Sequence, residues 1–114
     1  MNRPIKFRAY SHRSKRMWGW STLTDEEIGE MLREPNQEEI MQFTGLLDKQ
    51  GVEIYEGDVI EDMENKEYRY VVEFIGGGFH LKDFPADEYS FEYETGQSEV
   101  IGNIYENPEL IEDK

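Results

Sequence analysis

The 114-residue sequence contains no cysteine. Disulfides, thiolate metal sites and cysteine nucleophiles are excluded. Histidine is almost absent as well, with only His12 and His80. His12 stands beside Arg13, Lys15 and Arg16, a poor setting for a cation. The acidic stretch Asp58 to Glu67 lacks the central glycine and the ligand spacing of a calcium loop. We therefore expect no metal and no cofactor. No apolar run approaches the ~18 residues of a membrane span. Met1-Asn2-Arg3-Pro4 leads into no signal-like apolar segment. A soluble, cytoplasmic protein is expected, with no membrane contact. There is no internal repeat, low-complexity tract or linker, and the length suits a single domain, residues 1–114.

What the sequence does have is acid. It carries 26 acidic against 12 basic residues, a net charge of −14. The division is uneven. Residues 1–24 hold Arg3, Lys6, Arg8, Arg13, Lys15 and Arg16 and no acid, whereas the rest of the chain carries a net −20. Such a body repels nucleic acid over most of its surface. The basic N-terminal arm is expected to lie on the acidic body of its own or a neighbouring subunit. The two Trp, seven Tyr and six Phe argue against a disordered chain.

The apolar pattern reads mostly as short strands. Ile5, Phe7 and Ala9 alternate with Lys6, Arg8 and Tyr10, and Met17 to Trp20 follows as a second strand of an N-terminal hairpin. Thr24 and Glu27 form a capping box before the stripe Ile28, Met31 and Leu32, and Pro35 ends that helix. Further strands are expected at Ile40–Thr44, Ile54–Tyr55, from Val59, over Glu67–Ile75 and over Phe79–Lys82. Asp48-Lys49-Gln50-Gly51, Gly57-Asp58 and Gly76-Gly77-Gly78 are the turns between them. Asp83 to Asp87 reads as a loop. Tyr89, Phe91 and Tyr93 alternate as an aromatic-in strand. Ser98 to Tyr105 is another strand, with Gly102 marking a bulge or corner. Asn107-Pro108 starts a terminal helix, with Leu110 and Ile111 covering the open end of the fold.

No reactive constellation stands out. Gly76-Gly77-Gly78 lacks the Lys-Ser/Thr and the following helix of a phosphate loop. Thr22, Thr44, Ser90 and Ser98 have no histidine at a suggestive spacing. With 26 acids, close carboxylate pairs arise by chance, so they do not announce a glycosidase. We expect no catalytic residue and no enzyme. Lys6, Arg8, Arg13, Trp18 and Trp20 interleave bases with aromatics, a style that suits base stacking and backbone tracking. On so acidic a chain they read more simply as an interface.

Three stretches carry a family resemblance: Asn2 to Tyr10, Met41 to Ile60 and Val100 to Leu110. In that order, with a variable strand region between the last two, the chain resembles the YopX family of small phage and prophage proteins. The shared pattern rests on Phe43, Gly45, Tyr55, Gly57, Asp58, Gly102, Asn103 and Tyr105. The resemblance implies a phage- or prophage-encoded protein with a β-barrel and helical additions, able to form oligomers. It implies no catalytic or binding residue.

The expected fold is α+β. A small SH3-like, mostly antiparallel β-barrel (37–114) follows an N-terminal hairpin and one short capped helix (1–36). The expected core is Phe7, Trp18, Ile28, Leu32, Phe43, Leu46, Ile54, Val59, Tyr70, Val72, Phe74, Leu81, Val100, Ile104 and Leu110. The expected function is a non-catalytic self-assembling or protein-binding module, whose partner is itself or a phage or host protein. The alternatives are an acidic nucleic-acid mimic or host-protein inhibitor, and nucleic-acid binding through the basic arm. Nucleic acid is not the expected partner. The N-terminal strand is expected to add to a neighbouring subunit's sheet edge.

Overall fold

The computed structural model describes residues 5–20, Glu26, Gly29, 38–82 and 91–112. In chain order, the described elements begin with β1 (Phe7–Ser11), β2 (Arg16–Trp18), β3 (Glu38–Leu47) and β4 (Glu53–Tyr55). Next come β5 (Asp58–Asp62), β6 (Arg69–Ile75), β7 (Gly78–Leu81), α1 (Phe91–Thr95), β8 (Ser98–Asn103) and α2 (Glu109–Glu112). The strands form two four-stranded antiparallel sheets, ordered β2-β1-β3-β4 and β7-β6-β5-β8. The fold is mostly antiparallel β with little helix. Among the described residues no helix is long and apolar enough to cross a membrane.

The hairpin forms as expected, but β1 is no free edge. It pairs with β2 on one side (Ala9 opposite Trp18) and with β3 on the other (Ala9 opposite Ile40), across the division expected at residue 37. Because both flanks are taken, Ala9, Tyr10 and Ser11 are all buried. Over Ala9–Ser11 the N-terminal strand therefore has no free edge to lend to another subunit's sheet.

The bulge expected at Gly102 in β8 is present, and β3 carries a second irregularity that was not expected. Register shifts between Phe43 and Leu47 in β3, where the Thr44 hydroxyl donates to the Ile54 carbonyl (2.8 Å) and accepts the Leu46 amide (3.1 Å). In β8 it shifts so that Val59 faces Gly102 while Ile60 faces Val100, leaving Ile101 as the extra residue of a bulge. A Cβ on Gly102 would stand 2.6 Å from Asn107 Oδ1 and 2.7 Å from Leu110 Cδ1. Glycine is thus what lets α2 close over β8.

The core lies in the second sheet and at its junction with β4. Ile54, Ile60, Val72 and Leu81 are buried together, with Tyr70, Phe79, Phe91 and Val100 packed around them. Of the expected core, Phe43, Ile54, Val59, Val72 and Leu81 are buried, and Phe7, Leu46, Tyr70, Val100, Ile104 and Leu110 are half-buried. Ile28 and Leu32 lie outside the described residues, as does the expected helix apart from Glu26 and Gly29, both helical. The loop at Asp83 to Asp87 and Tyr89 lie outside them too.

Three expectations are corrected. Trp18 is 36% exposed, because β2 is a three-residue edge strand. Phe74 is 41% exposed, because it sits where β6 runs out into the glycine turn and has Phe79 beside it at 4.9 Å. Phe91 and Tyr93 are not in a strand but in α1, and the buried residues there are Glu94 and Thr95. Local bonds favour the helix: the Thr95 hydroxyl donates to the Phe91 carbonyl (2.9 Å) and the Gly96 amide to the Glu92 carbonyl (3.1 Å).

Candidate functional site

Six of the eight family-pattern residues, Phe43, Tyr55, Gly57, Asp58, Asn103 and Tyr105, gather at the passage from one sheet to the other. Gly57 turns the chain from β4 into β5 with φ of 87°, in the left-handed region that suits glycine. Its amide donates to the Val72 carbonyl (2.8 Å), and its carbonyl accepts the Ile104 amide (3.0 Å). A Cβ there would press on Met41 Sδ at 3.1 Å.

Asp58 follows, only 1% exposed. Its Oδ2 accepts the Tyr55 amide (2.7 Å), closing the turn, and its Oδ1 accepts Arg8 Nη2 (2.7 Å). Burial pushes the Asp58 carboxyl up from its ordinary range, and the Arg8 guanidinium works against that rise. The same guanidinium lies over the Tyr55 ring (4.7 Å), and Tyr55 packs on Phe43 (5.4 Å). Arg8 Nε is buried without a partner. Burial, and then the neighbouring Glu53 carboxylate, push the Tyr55 hydroxyl up to about 12.

Asn103 sits opposite Asp58. Its side-chain oxygen accepts the amides of Tyr105 (3.0 Å) and Glu106 (2.8 Å), forming the corner after β8. Tyr105 then stacks on Tyr10 at 5.4 Å, bringing the chain's end back to the hairpin. Gly45 and Gly102 stand apart, at the bulges of β3 and β8. The family pattern is therefore a joint between sheets.

Two buried clusters were missed by sequence reasoning. Asp48 Oδ1 accepts the amides of Gln50 and Val52, and its Oδ2 accepts the Val100 amide, each at 2.8 Å. The β3–β4 turn is thereby tied to β8, and the Lys49 amide adds a bond to the Ser98 carbonyl (2.9 Å). The second cluster is Glu94, Asp62, Gln97 and Ser98. The Ser98 hydroxyl lies 2.8 Å from both Glu94 Oε2 and the Glu94 carbonyl, and Gln97 Nε2 donates to Asp62 Oδ2 (3.1 Å). Burial, and then a hydrogen bond to Asp62, push the Glu94 carboxyl up to about 7. Sequence carried a faint signal for Asp48, a turn aspartate. It carried none for Glu94.

The open surfaces are elsewhere. The arm's charge lies partly on its own body: Lys6 pairs with Glu53, Arg8 with Asp58, and His12 approaches Glu39 at 3.1 Å. Arg13, Lys15 and Arg16 remain exposed at the hairpin tip, with Arg16 over the Trp18 ring at 5.5 Å. Trp20 is 37% exposed and packs against Phe7 at 6.1 Å. It borders a cleft of about 360 Å³ with Lys6, Arg8, Glu53 and Tyr55. A second groove of about 250 Å³ runs between β6 and the Ile104–Tyr105 corner, with Val71, Ile75, Ile104 and Tyr105 among its lining and two acids, Glu56 and Glu73. Of the five expected interface residues, Lys6, Arg8 and Trp20 thus meet at one cleft, Trp18 stands on the β2 edge and Arg13 at the tip.

Comparison with known proteins agrees with this architecture. A family model described as YopX protein matches residues 6–112. The chain is similar to the crystal structure of protein EF1440 from Enterococcus faecalis, with 28% identity and a TM-score of 0.73 over 97% of this chain and 100% of that one. No curated protein matches.

Proposed function

This chain belongs to the YopX family, and we propose that it is a non-catalytic module of phage or prophage origin that assembles with copies of itself in the bacterial cytoplasm. One observation carries the reading. The β2 edge presents Arg16 and Trp18 beside Arg13 and Lys15, on a protein whose net charge is −14. An open strand edge with an exposed indole is a recognition element. Opposite charge elsewhere on the same molecule makes a second copy the complementary partner. For the architecture, we propose that the bulges of β3 and β8 bend the sheets into a partly open SH3-like barrel.

A catalytic reading is weaker. Burial pushes the Glu56 carboxyl up and it lines the second groove, yet its Oε1 accepts the Gln42 amide at 3.2 Å. The one hydroxyl on the described lining, that of Tyr105, is pushed up to about 12 by burial and by Glu39, so it is no ready nucleophile. Binding of nucleic acid through the arm is weakened because Lys6 and Arg8 are already paired.

Light scattering at about 50 mM and about 500 mM salt tests the proposal, since screening lengths shrink several-fold over that range. A defined oligomer that loosens at high salt is expected. A monomer at both salts overturns self-assembly and leaves a host-protein partner, including one whose nucleic-acid groove an acidic mimic would occupy.

A further inference from the structure

We propose that the acid-lined groove beside β6 is the acceptor for the β2 edge of a second copy, with Trp18 of one chain seated against Ile75 and Ile104 of the next and Arg16 set beside Glu73 and Glu56. The inference rests on the assembly reading above and names the other half of that interface.

Four observations support it. First, Arg16 and Trp18 are two apart in one strand, so they project from the same face and enter a partner together. Their cation–π contact at 5.5 Å already holds them as one unit. Second, the groove is the matching counterpart. Its described walls are mostly apolar, Ile75 is 57% exposed, and the charged groups among the described lining, Glu56 and Glu73, are both acids. Third, a single chain does not satisfy the pair. Trp18 is pinned opposite Ala9 in the hairpin and stays exposed while the groove stays open. Fourth, burial pushes the Glu56 carboxyl up, so an arriving guanidinium would relieve a strained charge. Donor edge and acceptor groove are different surfaces, so the contact is head-to-tail. It therefore builds a ring where the rotation closes and a filament where it does not.

Charge exchange on the full chain tests the pairing. Arg16→Glu and Glu73→Arg are each expected to weaken self-association at least about tenfold, the scale of one lost interfacial ion pair. The combined variant is expected to recover native mass by light scattering. Ile75→Lys, which replaces the apolar seat of Trp18 with a cation two residues from Glu73, is expected to dissociate the oligomer without lowering the melting temperature. Because the chain has no cysteine, an equimolar mixture of Trp18→Cys and Ile75→Cys proteins provides a second readout. Disulfide between the two variants is expected to outrun disulfide within either. If Arg16→Glu dissociates the protein but Glu73→Arg and Ile75→Lys do not, assembly stands and the groove assignment falls. Failure of the double exchange to recover mass, with no preference in the cysteine mixture, also overturns the pairing. A monomeric native protein overturns both proposals.

Discussion

Asp48 and Asp58 each fix the join between the sheets, but by different means. Asp58 is a buried charge held by Arg8 and one turn amide. Asp48 has three backbone amides instead, one of them from a strand 52 residues further along. Truncating Asp48 leaves those three donors without their acceptor. Asp48→Ala is therefore expected to cost about 3 kcal/mol, two or three hydrogen bonds to a charged group less the water that replaces them. Asp48→Asn, which keeps one acceptor oxygen, is expected to cost less than half of that. Urea denaturation measures both, and equal losses for the two substitutions would show that the shape of the turn matters and the acceptors do not. Gly57-Asp58 was legible as a corner because the positive φ of Gly57 and the Asp58–Tyr55 bond are local, although the bonds of Gly57 to Val72 and Ile104 and of Asp58 to Arg8 are not. The contact of Asp48 with Val100 was not, since a hydrogen bond that spans half the chain leaves no local spacing. The exposure of Trp18 was misjudged for a related reason: an apolar residue at strand period looks the same on an edge as in a core.

At the scale of elements, α1 shows how a hydroxyl and carboxyl network overrides a side-chain pattern. Tyr89, Phe91 and Tyr93 have a strand period, yet Thr95 and Ser98 bond back to carbonyls within the α1 turn and bury Glu94 against Asp62. Burial works against the ionised Asp62. The Asn65 amide, the Glu94 carboxyl and the Glu64 amide outweigh it and hold Asp62 below the usual carboxylate range. Glu94 then keeps the proton, at about 7 against an ordinary 4.5. The sign of the pH dependence follows. Between those two values the folded protein binds one proton more tightly than the unfolded chain, so stability falls as pH rises. The contribution is whole below about pH 4.5 and gone above about pH 7. Asp62 acts in the opposite sense, below its own ordinary pKa of 3.8. Among the described residues the other groups on this cluster are Gln97, Ser98 and the Tyr70 hydroxyl, none of which titrates in the window. Glu94→Gln is expected to flatten the melting temperature between pH 5 and 8, leaving it higher than the native protein's at pH 8. Parallel curves for the two proteins would mean that Glu94 ionises freely and that α1 is held by its hydroxyls alone.

For the molecule as a whole, the uneven charge has a simple structural use. The basic arm settles partly on its own acidic body, Lys6 on Glu53 and Arg8 on Asp58, and the second of these pairs ties the first sheet to the start of the second. The sequence division into a hairpin unit and a barrel is crossed at once by β1 pairing along β3. The two sheets are further joined at Gly57, whose amide and carbonyl bond to Val72 and Ile104, and by Asp48 at the Val100 amide. Losing one sheet would strand an ion pair and several amides of the other, so the sheets should unfold as one cooperative unit. The tryptophans make this testable without labels. Trp18 lies in β2 of the first sheet and Trp20 directly after it, so their fluorescence reports on that sheet alone, whereas far-ultraviolet circular dichroism sums over both. The two urea transitions are expected to coincide in midpoint and slope. A fluorescence transition that comes first would mean that the hairpin sheet opens independently. The Arg8–Asp58 pair and the Asp48–Val100 bond would then be too weak to couple the halves.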